Sequence, residues 1–336
     1  MKPMTFRRMT ATRSNPRITK RFGCRAILTL CGALAVAVSP ARAAENGIGH
    51  YNPGQTADFA DALPGFPCFV YENIFTYYDG STGGSKRMPV SGGRVAANLD
   101  ATSYTDSSVL LWQTPLKIFG GYYTVFASIP YTWVTVSADV ETPMGRQSTS
   151  DSVCGIGDIY FAPAAIGWTN GDFKWDVRFG IYAPTGEYDN DRLANPGLGF
   201  WTFEPEVSFS WLSSKIGTEV SVFAGFDFNT ENTDANYTSG DLFHLDVTIA
   251  QHLPLLGGVA GLGANGFWMR QFTGDSGSGA TLGSFEMEQW GIGPVASYLR
   301  KFGDKALIVD VKWLPQFCYK DTMNADIVWA KVAFLF

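Results

Sequence analysis

From Phe173 to Ala183 the chain reads FKWDVRFGIYA, an apolar residue alternating with a charged or small one at almost every step. A strand points successive side chains to opposite faces. Phe173, Trp175, Val177, Phe179, Ile181 and Ala183 therefore share one face, and Lys174, Asp176 and Arg178 the other. The same period of two recurs clearly over 201–211, 216–228 and 242–251. It is weaker at about 69–78, 107–116, 122–136, 155–168, 258–272, 285–299, 306–319 and 326–336. The pattern predicts about twelve strands, an even number. By itself it fits either a soluble sandwich, apolar inside, or a membrane barrel, apolar outside.

The connections separate these two. Short ones carry turn residues, as in Phe119-Gly-Gly121, Thr169-Asn-Gly171, Ser213-Ser-Lys215, 254–257 and 300–305. They alternate with longer polar stretches at about 79–104, 138–152, 185–200, 231–240 and 273–284, and only 320–325 breaks the alternation by being short. Tight turns on one side and long loops on the other are the plan of an outer-membrane barrel. Aromatic residues also gather near strand ends: Tyr77, Tyr78, Trp168, Trp175, Trp201, Trp211, Trp268, Trp290 and Trp313. Trp201 and Trp211 stand one tilted crossing apart on the same face. At the C-terminus Val328, Ala330, Val332, Phe334 and Phe336 share a face, with Lys331 between them. An alternating last strand closed by an aromatic residue resembles the signal read by the barrel-assembly machinery, with Val328, Val332, Phe334 and Phe336 as its residues.

These features predict an all-β, transmembrane antiparallel up-and-down β-barrel of outer-membrane type with about twelve strands. Its apolar face meets lipid, because only a closed barrel satisfies every strand's backbone groups in a bilayer. Parity then directs Asp158, Lys174, Asp176, Arg178, Glu204, Glu206, Glu219, Asp227, His244, Asp246, Asp310 and Lys312 into the lumen, as candidates for permeation. The competing account of the same residues is that they pair across strands and fill a narrow interior. Their mixed signs point to ion pairs more than to a wide pore.

Composition narrows the setting. Residues 1–25 carry eight basic and no acidic side chains, an apolar run follows over 26–38, and Ala41-Arg-Ala43 supplies a small-residue cleavage site. That order predicts a secretory signal peptide over 1–43. The run is too short for a membrane anchor. Removing these residues takes away nine basic groups and no acid, so the formal charge of −6 becomes −15, from 16 Lys and Arg against 31 Asp and Glu. Such an acidic chain is not built for nucleic acid. Cys68, Cys154 and Cys318, odd in number and widely spaced, make neither a disulfide framework nor a zinc pattern. No stretch after residue 43 reaches the length of apolar residues that a spanning helix needs.

Catalytic chemistry has little to stand on. Three histidines occur, His50, His244 and His252; His244 shares a face with Asp246, but no serine motif accompanies them. A lumen histidine bonded to a neighbour is the expectation for His244. The glycine-rich run 257–263 lacks a phosphate-loop lysine and sits in a strand, where it eases crowding. Asp189-Asn-Asp191 lacks the remaining spacing of a calcium loop and reads as a solvated loop. No cofactor and no metal are expected. Residues 44–65, ahead of the first strand, include Asp58-Phe-Ala-Asp-Ala-Leu63, which reads as a short helix, and form either a periplasmic tail or a plug inside the lumen.

Six segments, in order along the chain, resemble the MetA-pathway phenol-degradation family: Gly155-Ile-Gly-Asp-Ile-Tyr-Phe-Ala-Pro163, Tyr182-Ala-Pro-Thr-Gly-Glu-Tyr-Asp189, Asn195-Pro-Gly-Leu-Gly-Phe-Trp-Thr-Phe-Glu-Pro205, Asn236-Tyr-Thr-Ser-Gly-Asp-Leu242, Gln271-Phe-Thr-Gly-Asp-Ser276 and Gly291-Ile-Gly-Pro294. The resemblance implies an exported Gram-negative outer-membrane barrel over 66–336 that helps small hydrophobic or aromatic compounds across the envelope, and it brings no catalytic motif. The expected surroundings are outer-membrane lipid and lipopolysaccharide, the assembly machinery and a small hydrophobic solute, around a monomer. The alternatives are a structural or adhesive barrel whose loops contact other molecules, and an envelope hydrolase.

Overall fold

The computed structural model describes residues 48–84 and 86–336. The signal peptide expected over 1–43 lies outside them. Among the described residues, fourteen strands make one sheet: β1 (Cys68–Ser81), β2 (Met88–Val90), β3 (Arg94–Ile118), β4 (Gly121–Thr142), β5 (Gly145–Ile156), β6 (Ile159–Asn170), β7 (Phe173–Ala183), β8 (Thr202–Leu212), β9 (Thr218–Asn229), β10 (Leu242–Leu255), β11 (Gly258–Gln271), β12 (Glu288–Phe302), β13 (Lys305–Lys320) and β14 (Asn324–Leu335). All but β2 and β5 form a ring of twelve antiparallel strands. The ring closes where β1 pairs with β14, from Val70 opposite Leu335 to Ser81 opposite Asn324. Phe69 and Phe336 exchange backbone hydrogen bonds of 2.9 and 3.0 Å beyond the last of these pairs. No edge is left within the ring, which is the condition a bilayer imposes.

The alternation seen in the sequence sets the two faces. On β7 and β8, Val177 and Val207 are 44% and 54% exposed, while Asp176 and Glu206 are 2% exposed. A sandwich would reverse these numbers, since it hides its apolar face. Two aromatic girdles flank the outward apolar band. Trp168 stacks on Trp175 and Phe69 on Trp112 at the end with short turns. Trp268 stacks on Trp290, and Phe226 packs against Phe243 and Phe272, at the end with long loops. Val328 and Val332 are half-buried and Phe334 and Phe336 exposed on this outward surface.

Two stretches read as polar loops are strand instead. β3 begins at Arg94, well before residue 104, and β4 and β5 form one hairpin turned by Pro143 and Met144. The outer half of β4 pairs with β5 and its inner half with β6, so β3, β4 and β5 extend past the ring as a wing. Its outer surface is held by hydroxyl pairs: Thr135 to Ser152 and Ser137 to Ser150, both at 2.9 Å. Hydroxyl-rich strands carry β propensity without an apolar face toward lipid, which is why hydrophobic alternation did not reveal them. The wing's inner face, Val136, Ala138 and Val140, packs with Met88 on β2, Leu99 on β3 and Leu193, Phe285, Met287 and Met323 from the loops in the largest apolar cluster. That cluster gathers the long loops over the outer mouth.

Candidate functional site

Two surfaces meet inside the ring, and they differ in chemistry. The arc from β7 through β10, together with β13 and β14, is ionic. Arg178 forks onto Asp176 through Nε and Nη2 at 2.8 and 3.0 Å, and its Nε lies 3.2 Å from Glu206 Oε1. A planar guanidinium suits such bidentate pairing. Lys312 and Lys331 project from β13 and β14, and His252 on β10 lies 2.6 Å from Glu219 on β9.

Residues 50–61 are bonded to this ionic arc along their length. His50 places Nε2 2.9 Å from Asp158 and Nδ1 2.7 Å from Thr202. Tyr51 donates its hydroxyl to Asp246 at 2.7 Å and stacks on His244, ring centroids 3.6 Å apart. The backbone NH of Gly54 donates to the other oxygen of Asp246 at 2.9 Å. Gly54 has φ +83°, and a Cβ there would fall 2.3 Å from Leu314 Cδ1, so glycine is required by both angle and space. Thr56 donates to Glu206 at 2.7 Å and the Phe59 NH to Glu219 at 2.8 Å. Lys312 Nζ donates to the Gly54 carbonyl at 2.9 Å and to Asp58 at 3.1 Å, and Lys331 Nζ donates to the Gln55 carbonyl at 2.8 Å and to Asp61 at 2.5 Å. Trp329 donates its indole NH to the Pro53 carbonyl at 2.9 Å.

The ionisation of this segment follows from its neighbours. Burial, then the adjacent Asp246 and Glu206, holds the Tyr51 hydroxyl well above its ordinary pKa, so it remains a donor. Burial alone would raise Asp61, but Lys331 and Lys312 outweigh it and hold its carboxyl below the usual value.

The arc of β1, β3 and β4 is different. Its inward residues are apolar or hydroxylic: Val70, Ile74 and Thr76 on β1; Ser103, Thr105, Ser107, Val109 and Leu111 on β3; Ser128, Pro130, Thr132 and Val134 on β4. Glu72 is the one charged residue among these inward positions. Between this arc and residues 48–67 lies a cavity of about 870 Å³. Its lining runs from Lys301, Lys305 and Phe336 at the short-turn end to Asn195, Pro196 and Leu198 in a long loop. Thr105 and Thr132 hydrogen-bond to each other across β3 and β4 within it.

Of the residues that parity directed inward, Asp158, Asp176, Arg178, Glu204, Glu206, Glu219, Asp227, His244, Asp246, Asp310 and Lys312 are all buried. Glu204, Asp227 and His244 converge on one spot, and Asp176 and Glu206 both pair with Arg178. Asp158 stands apart near the loops, where it also accepts from the Gly186 and Leu198 NH groups. Lys174 joins neither group; it is half-buried and lines the cavity's short-turn end. Sequence reasoning did not single out Tyr51, Asp58, Asp61 or Glu72 as partners of the lumen charges. For Glu72, β-strand parity carried the signal. For the other three no strand period exists, and the short helix expected over 58–63 is a series of turns.

The chain belongs to the family whose model is described as "Putative MetA-pathway of phenol degradation", matched over residues 85–331. Its twelve-stranded ring gives the class of fold, a closed antiparallel β-barrel. Among solved structures it resembles the COG4313 outer membrane channel from Pseudomonas putida F1, at 14% identity and a TM-score of 0.56, covering 85% of this chain and 100% of that one. It also matches the beta domain of the Bordetella autotransporter BrkA at 13% identity and a TM-score of 0.44, covering 81% and 99% of the two chains. The first of these likenesses shows the fold. No curated protein matches the chain.

Proposed function

We propose that this barrel is a passive outer-membrane channel for small hydrophobic solutes, aromatic compounds with a hydroxyl group in particular. The observation that carries the reading is the cavity of about 870 Å³, bounded on one side by apolar and hydroxylic side chains and reaching toward both ends of the barrel. That side offers dispersion contacts to a ring and exchangeable hydrogen bonds to a phenolic hydroxyl, with Glu72 as its one charged residue, while the charged lining residues Asp61, Asp158, Lys174 and Arg178 stand across the cavity from it. The family's association with phenol degradation supports the same solute class. Of the two placements open for the N-terminal segment, the plug is the one we propose: it narrows the lumen to this passage and neutralises the ionic arc. Passage needs no cofactor and no chemical step. The barrel works as a monomer in the outer membrane, delivered by the export signal and by the C-terminal residues Val328, Val332, Phe334 and Phe336. Growth and uptake on limiting phenol, cresols or benzoate, with and without the protein, test the reading, alongside conductance in planar bilayers. Faster uptake with the protein is expected. Equal rates at limiting supply, with an electrically silent barrel, would leave a structural or adhesive role.

A further inference from the structure

Glu204, Asp227 and His244 come from three adjacent strands, β8, β9 and β10, and one donor atom of each lies within 4.8 Å of the other two. Two strands away from Glu204, His244 reaches it because its own neighbour on β9 is glycine. Gly225 pairs with His244 on one side and with Glu206, two residues along β8 from Glu204, on the other, and a Cβ there would lie 2.4 Å from His244 Nε2. The imidazole thus leans across β9, with Nε2 3.2 Å from Glu204 Oε1 and 3.8 Å from Asp227 Oδ1. The three side chains are 2%, 2% and 0% exposed in the order Glu204, Asp227, His244. Neither ring nitrogen of His244 makes a hydrogen bond, and neither do Glu204 Oε1 and Asp227 Oδ1. Buried polar atoms nearly always find a partner. Here they converge on one point with that capacity unused, while Tyr51 covers the imidazole from the lumen side.

We infer that Glu204, Asp227 and His244 hold a divalent cation of the zinc class. One imidazole nitrogen with two carboxylate oxygens is a donor set suited to borderline divalent ions. Bonds of about 2.0 to 2.2 Å would set the three donors about 3.4 Å apart; the 3.2 Å from His244 Nε2 to Glu204 Oε1 is already close to that, and small side-chain rotations bring Asp227 in from 3.8 Å. The cation's two charges offset those of the two carboxylates and leave the imidazole neutral, so that no member of the group is buried uncompensated. The role is structural: the ion ties β8, β9 and β10 together behind the N-terminal segment. This departs from the sequence expectation of no metal. Three ligands on three strands leave no short motif, and the glycine that lets them meet is one of 37.

The test uses the untagged barrel isolated from membranes in detergent, stripped with a chelator, incubated with ZnCl2 and desalted. One zinc per chain is expected by elemental analysis, and its X-ray absorption should show a single imidazole in the first shell. His244→Gln and Asp227→Asn should fall to background, with folding verified by heat-modifiable gel mobility. His252→Gln, which removes the imidazole paired with Glu219 outside the cluster, should keep the full complement. Zinc retained equally by His244→Gln, or none retained by the folded native chain, overturns the assignment and leaves an imidazolium ion pair in its place. Should the variants fail to fold, the absorption spectrum of the native protein decides: bound zinc without an imidazole overturns it.

Discussion

Lys312 on β13 reaches Asp58 of the N-terminal segment at 3.1 Å, both side chains buried and 254 residues apart in sequence. The same ammonium donates to the Gly54 carbonyl and lies 3.7 Å from Asp310. One lysine thus joins the wall to the segment and balances two carboxylates.

Replacing it should loosen the segment. Lys312→Met leaves Asp58 and Asp310 without their cation, a loss of about 3 to 5 kcal/mol for breaking a buried pair. Protease cleavage within 48–67 and single-channel conductance should both rise. Lys312→Met with Asp58→Leu should recover part of the loss, because the second change removes a stranded charge. Unchanged conductance and unchanged cleavage in the single variant would contradict the plug.

The outward band gives a second expectation. Val207→Lys, at the centre of β8 and 54% exposed, should cost about 2 to 4 kcal/mol in reversible urea unfolding from lipid vesicles, as expected for a cation at the bilayer midplane. Ser107→Ala, on the inner face of β3, should change stability by no more than about 0.5 kcal/mol. A soluble, detergent-free native protein would contradict the assignment of that band to lipid.

Narrowing the passage is a third. Thr105→Tyr puts a ring into the cavity opposite Thr132 and away from the ionic arc. Uptake of phenolic solutes should fall several-fold while urea stability stays near native. Uptake that is unaffected would show that solutes do not pass along β1, β3 and β4.

Acid should release a loop. Asp151 on the wing accepts from Arg192 Nη2 at 2.8 Å and from the Leu193 and Ala194 NH groups at 3.2 Å each. The Arg192 hydrogen bonds chiefly, with the backbone NH groups and the Arg192 charge, hold its carboxyl at about 2. Its folded pKa lies below the unfolded value of about 3.9. The contribution is therefore complete above that value and lost as pH falls through 2. Pepsin cleavage within 184–201, normalised to a peptide of the same sequence, should rise steeply between pH 4 and pH 1.5. Asp151→Asn should be cleaved readily across the whole range.

Particular residues show how far the sequence could be read. Val177 and Asp176 were assigned to opposite faces by adjacency alone, and the structure places one outside and the other inside. Gly120 and Gly171, with φ +84° and +61°, marked short turns where glycine's freedom is needed. The wing was not legible, because Ser148, Ser150 and Ser152 alternate with other polar residues and give no contrast between faces.

The face of a residue, the count of crossings and the side with long loops are local properties. They follow from a period of two and from turn chemistry, so the chain's order of residues determined them alone. Which inward charge meets which was decided only by closure of the ring. Lys331 finds Asp61 and Gln55, Asp246 finds Tyr51 and Gly54, and His244 leans over Gly225 because strand stagger and barrel width bring distant positions to one height. A buried carboxylate needs a counter-charge within a few ångströms, and that distance is set by the fold's geometry, to which sequence separation gives no access.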